Sequence, residues 1–126
     1  MSATDENDRI ADFSSRGPAV EVAAPGVDIL STITYPMWYE LSYDYFSGTS
    51  MACPHVVGMA ALVKSANPGI SNEEIRRRLQ LFAKDLGPAG RDNDYGYGIV
   101  RPTGILAQCP MNQSPLPAQG VPIGVS

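Results

Sequence analysis

The sequence holds a single histidine and two cysteines in 126 residues, and that scarcity removes several chemistries from consideration. Cys53 and Cys109 are too few for a disulfide scaffold, and neither shows the C-x-x-C or Cys/His spacing of a zinc site. Nine Lys+Arg stand against thirteen Asp+Glu, a net charge of −4, so there is no basic surplus to meet a nucleic-acid backbone or an anionic membrane surface. No apolar run is long enough to span a bilayer. Met1 is followed directly by the polar SATDENDR, without the cationic start, apolar h-region or cleavage site of a signal peptide, so the chain as written has no route to secretion.

What is present suits one folded domain of ordinary size, with 44% hydrophobic residues. Short β-branched or aromatic runs between turn residues predict strands at Val20 to Ala24, Ile29 to Thr34 and Tyr43 to Phe46, with 35–41 as a loop. From Ser50 to about Ala66 the chain is apolar almost all round, which predicts a helix buried on most sides, with Pro54 in its first turn. Asn67-Pro68-Gly69 breaks it. Ser71 and Glu74 have the spacing of a capping box and open an amphipathic helix whose apolar positions are Ile75, Leu79 and Phe82. Glu73, Glu74, Arg76, Arg77 and Arg78 take its wet face. Residues 86–93 read as loop, 95–100 as one more short strand, and Pro102 as the first residue of a brief helix to about Ala107. Beyond Cys109 prolines recur without apolar periodicity, so 109–126 reads as a Pro-rich tail with little regular structure.

Gly48-Thr49-Ser50 falls where a strand ends and the apolar helix begins. Free N–H groups and the positive end of the helix dipole favour negative charge there, which suits a nucleophile and the oxyanion of a tetrahedral intermediate. Gly48 gives the backbone freedom for close approach to a substrate. Taken alone, G-T-S reads first as plain helix capping, since Ser and Thr are among the commonest N-caps.

The longer string Gly48 to Val56, G-T-S-M-A-C-P-H-V, resembles the serine signature of the subtilisin family of serine peptidases. Ala3-Thr4-Asp5, Phe13-Ser14-Ser15-Arg16-Gly17-Pro18, Ala24-Pro25-Gly26-Val27 and Tyr95-Gly96-Tyr97-Gly98 fall in the family's order, so the resemblance covers residues 2 to about 106. It implies an α/β fold, the C-terminal portion of a doubly wound parallel sheet incomplete at its N-terminal side, with residues 1–108 as the domain part and 109–126 as the tail. By the same resemblance Ser50 is the acylating nucleophile, its own N–H an oxyanion donor, and Thr49 a support of the oxyanion site. Met51 and Gly48 border the cleft, Met51 as the oxidation-sensitive position. Tyr35, Trp38, Tyr39, Tyr43, Tyr45 and Phe46 precede the serine in a segment that borders the leaving-group side, so Tyr45 is a cleft candidate, although cross-strand packing also favours such rings.

A serine triad needs a base within reach of the hydroxyl and a carboxylate to orient that base, and the family's order is Asp, His, Ser. His55 is the chain's one histidine and follows Ser50 on the same helix, turned ~140° away and ~7.5 Å along the axis, so it is structural. The family's oxyanion asparagine has no counterpart either. Asp5, Asp8, Asp12 and Asp28 belong to turns and solvent. Asp92-Asn93-Asp94 lacks the spacing of a calcium loop, so the segment needs no metal or other cofactor, and Asn112-Gln113-Ser114 is a sequon that matters only in a secretory setting.

The resemblance therefore implies a serine endopeptidase acting on peptides or proteins, extracellular in its full-length form. This chain alone is expected to be inactive unless an N-terminal segment carrying Asp and His complements it. The alternatives are an interaction module that self-associates through an unpaired sheet edge, or a truncated product without a function of its own.

Overall fold

The computed structural model describes residues 1–34 and 41–107. Its centre is a parallel pair of short strands, β1 (Ser2–Thr4) and β2 (Ala23–Pro25), in register Ser2 to Ala23, Ala3 to Ala24 and Thr4 to Pro25. All three residues of β1 are buried, which the small side chains Ser, Ala and Thr permit. The expected strand from Val20 is shorter, because Val20 and Val22 are buried outside the ladder while Glu21 is held by Arg76 and Gln80.

Both edges of this pair are covered by the chain itself. On one side Ala3 N–H donates to Ser14 Oγ at 2.9 Å, and Ala11 N–H donates to Ala3 C=O at 2.9 Å. On the other, Ala23 N–H donates to Gly98 C=O at 2.9 Å and Val100 N–H to Ala23 C=O at 3.0 Å. The backbone groups of Ala3 and Ala23 that point outward are thus all bonded within the chain.

The segment expected as a last strand makes only isolated bridges, Ile99 to Ala23 on one side and to Lys84 on the other, and Gly96 to Asp92. Gly98 explains the interruption, since its φ of 120° is one that residues with a side chain rarely adopt and a Cβ there would run into the Lys84 carbonyl.

The other strands form an antiparallel hairpin, β3 (Ile29–Thr34) and β4 (Leu41–Phe46), running from Ile29 opposite Phe46 to Thr34 opposite Leu41. The start of β4 is earlier than the aromatic run suggested. Residues 35–40, including the cleft candidates Tyr35, Trp38 and Tyr39, lie outside the described residues, as do the tail, Cys109 and the sequon.

Among the described residues three helices accompany the strands: α1 (Thr49–Ala66), α2 (Asn72–Leu81) and α3 (Pro102–Ala107). Ala52, Met59 and Val63 of α1 meet Ala3 and Ala24 of the strands, Ile75 and Leu79 of α2 and Ile105 of α3 in one apolar core. Helix α1 is less enclosed than its composition predicts. Val57 is 60% exposed and Leu62 47%, because only one face of the helix meets the strands and the other helices. Pro54 also sits further in than expected, in the second turn, where its missing N–H leaves the Ser50 carbonyl without the usual donor four residues on.

Helix α2 begins as its sequence predicts, with Ser71 Oγ accepting from Glu74 N–H at 3.2 Å. The reciprocal half of the capping box is replaced by ion pairs, since the Glu74 carboxylate accepts from Arg77 and Arg78. Arg76, solvent-facing, grips Glu21 with two nitrogens and so ties α2 to the approach to β2. Among the described residues no helix is long and apolar enough to cross a membrane.

Candidate active site

The site is built where β1, β2 and α1 converge. Gly26 follows β2, and a Cβ placed there would lie 2.6 Å from Ala3 Cβ, 2.7 Å from the Gly48 carbonyl oxygen and 3.3 Å from Ala52 Cβ. Only glycine lets these three backbones approach so closely. Gly48 N–H donates to Gly26 C=O at 2.7 Å, which pins the first residue of the α1 cap against the end of the parallel pair. Beside it, Asp28 N–H donates to Ser47 Oγ at 2.8 Å, and Asp28 holds the left-handed φ of 52° that the turn into β3 requires. Sequence reasoning placed Asp28 in a turn but missed Ser47 and Gly26 as the parts that fix the start of α1.

Helix α1 differs from α2 at its beginning. Its N-cap is Gly48, which offers no side-chain acceptor, and no acidic residue lies in its first turn. Thr49 and Ser50 are therefore the first two helical residues rather than caps, so plain capping does not account for them. Met51 N–H and Ala52 N–H both turn back to the Gly48 carbonyl, at 3.0 and 3.3 Å. The amides of Thr49 and Ser50 have no protein acceptor among the described residues, and the Ser50 side chain is exposed beside them. An uncapped helix start with free donors next to an exposed hydroxyl favours an anion at that point.

The flanking candidates fall into different places. Gly48 is extended, with φ 163° and ψ 161°, a conformation open to any residue, so the conformational freedom expected of it is not used. A Cβ there would meet Met51 Sδ at 3.5 Å, an ordinary contact, and the half-buried Met51 thioether thus packs over the Gly48 backbone next to the serine. Tyr45 lies opposite Leu30 in the hairpin, its ring 61% exposed, with Tyr43 also exposed two residues earlier on the same strand. Neither ring is committed to the core.

His55 is exposed, and its Nδ1 lies 2.9 Å from the Met51 carbonyl one turn back. Since a carbonyl only accepts, Nδ1 carries the proton in this bond, and the ring is engaged with its own helix. The carboxylates read as turn residues behave so: Asp5 Oδ1 accepts from Asn7 and Arg9 N–H, Asp8 pairs with Arg101 at 2.7 Å and Lys84 at 3.5 Å, and Asp12 is exposed. Asp92 Oδ1 accepts from the amides of Asp94 and Tyr95 at 2.7 and 2.8 Å, closing a turn. Among the described residues no group of three or more His, Cys, Asp or Glu is placed to hold a metal ion.

Residues 1–98 match the model of the subtilase family. The chain is 43% identical over 100 residues to the halolysin-like extracellular serine protease Nep of Natrialba magadii, covering 79% of this chain and 17% of that protein. It is 40% identical over 125 residues to fervidolysin of Fervidobacterium pennivorans, covering 89% of this chain and 17% of the relative. With subtilisin Savinase of Lederbergia lenta the identity is 46% over 100 residues, 79% of this chain and 34% of the relative. The chain thus spans between about a sixth and a third of the length of these proteins.

Proposed function

The chain belongs to the subtilase family, and from that premise we propose that it contributes Ser50 as the nucleophile of a serine-type endopeptidase. The observation that carries the reading is the exposed Ser50 hydroxyl beside two unpartnered amides at an uncapped helix start. In this reading Ser50 Oγ attacks the carbonyl carbon of a peptide bond. The amides at the start of α1 stabilise the oxyanion, with Thr49 in support. The intermediate collapses by breaking the C–N bond, the amine leaves with the proton that the base took from Ser50, and water then hydrolyses the acyl ester. Gly48, Met51 and Tyr45 border the cleft in which the peptide lies.

The hydroxyl proton needs an acceptor. His55 lies five residues after Ser50 on the same helix, turned ~140° away and ~7.5 Å along the axis, so in this reading the base and its orienting carboxylate come from a complementing N-terminal segment that carries Asp and His. The chain alone is then inactive, and the extracellular setting belongs to the complete protein. The experiment is hydrolysis of a fluorogenic peptide by the purified chain, alone and after addition of the N-terminal part of a subtilase domain. Activity that appears only in the mixture and is lost in Ser50→Ala supports the reading, whereas a mixture as inactive as its parts contradicts it.

A second reading, self-association without catalysis, is favoured by the exposed apolar side chains of Val57 and Leu62 on α1. Concentration-dependent sedimentation that a charged residue at either position abolishes distinguishes it.

A further inference from the structure

Away from Ser50, the end of α2 and the loop that follows it enclose a cavity of about 360 Å³, open toward solvent. Its apolar lining includes Leu81, 61% exposed, Tyr97, 42% exposed, and Ala83. Two guanidinium groups stand at its rim, and their situations differ. Arg77 is neutralised by Glu74, with Nε and Nη2 at 2.7 and 2.8 Å from the carboxylate. Arg91 is held instead by uncharged groups, its Nη2 donating to the carbonyls of Pro18 and Val20. No carboxylate pairs with it among the described residues. Asp85, the carboxylate that lines the cavity, has Oδ2 turned to the Gly90 amide at 2.7 Å.

Arg91 is thus a positive charge fixed in place by its own chain, with Nε and Nη1 uncommitted beside exposed apolar walls. A guanidinium held in this way has already lost the rotamer freedom that binding would otherwise cost, and its fork matches a carboxylate. The volume lies at the small end of the ligand-site range, which runs from about 300 to 1,000 Å³, and so accommodates one side chain with its terminal carboxylate. We propose that this cavity binds the C-terminal residue of a peptide ending in an apolar side chain, the carboxylate on Arg91 and the side chain between Leu81 and Tyr97. The remainder of such a peptide leaves through the open side. This proposal is independent of the role of Ser50.

The test is titration of N-acetyl-L-leucine, and separately of its neutral analogue N-acetyl-L-leucinamide, into the ¹⁵N-labelled full chain. The acid should move the Arg91 Nε–H, Leu81 and Tyr97 signals to saturation, and the amide should bind about tenfold more weakly or worse, because it lacks the charge. Arg91→Gln should abolish the shifts. Since Arg91 also anchors Pro18 and Val20, Leu81→Glu serves as the second variant: it leaves that anchor intact, sets a carboxylate at the rim and should also abolish binding. Absence of saturable shifts with the acid, equal binding of acid and amide, or undiminished binding by Leu81→Glu would overturn the proposal.

Discussion

Gly48 donates its amide to the carbonyl of Gly26 at 2.7 Å, and a Cβ on Gly26 would stand 2.7 Å from the Gly48 carbonyl oxygen. This double approach fixes the first turn of α1 against the end of the parallel pair. The position of Ser50 therefore depends on a residue 24 places before it, through backbone contact alone.

Gly26→Ala should destabilise the chain by about 1 to 3 kcal/mol, since the atoms its methyl would meet include backbone and the short side chains of Ala3 and Ala52. Urea unfolding of the variant checks this. An unchanged midpoint would show that the strands and α1 separate more easily than the contacts imply.

Ser14 is buried and accepts the Ala3 amide, so Ser14→Ala leaves a buried N–H without an acceptor. The expected cost is about 1 to 3 kcal/mol. Hydrogen exchange of the Ala3 amide gives a local readout, and it should accelerate in the variant more than amides at the core of α1.

Much of this arrangement was legible in the residues. Ser71, with an apolar residue at every third or fourth place after it, announces α2, Pro102 announces α3, and the β-branched run from Ile29 gives β3 with its limits. What escaped depends on tertiary partners. A single serine in F-S-S-R-G-P gives no sign that it seals a strand edge, because its acceptor role exists only once Ala3 lies beside it. Tyr95 to Val100 alternates like a strand, yet the tight approach at Gly98 turns it into a bridge between Ala23 and Lys84. The nearly continuous apolar surface of α1 predicts burial on most sides, but burial depends on neighbours that periodicity cannot count. The serine itself stood out through its motif, and its helix position followed from the strand-to-helix switch.

Acid should weaken the chain in a defined window. Hydrogen bonds from Arg77 and Arg78 hold the Glu74 carboxyl well below its ordinary 4.5, at about 2, and Arg76 lowers Glu21 in the same direction. A carboxylate with a depressed folded-state pKa contributes stability above its unfolded value and loses it as pH falls toward the folded one. The Tm should therefore drop between about pH 4.5 and about pH 2. Glu74→Gln should make that drop shallower, and an identical slope would remove these pairs from the account.

The outer face of α1 gives a further check. Val57→Lys should leave the unfolding free energy within ~0.5 kcal/mol of the parent, because Val57 is 60% exposed and contributes little to the core. If the chain self-associates through this face, sedimentation of the variant should shift to the monomer, while association that persists unchanged would assign it to another surface.

The most direct measurement is the intact mass of the chain after reaction with a fluorophosphonate, first alone and then together with a subtilase N-terminal segment bearing Asp and His. The account predicts no adduct on the chain alone and one adduct in the mixture, mapped by peptide sequencing to Ser50 and absent from Ser50→Ala. Full labelling of the isolated chain at Ser50, or no labelling of that serine in either state, would contradict it.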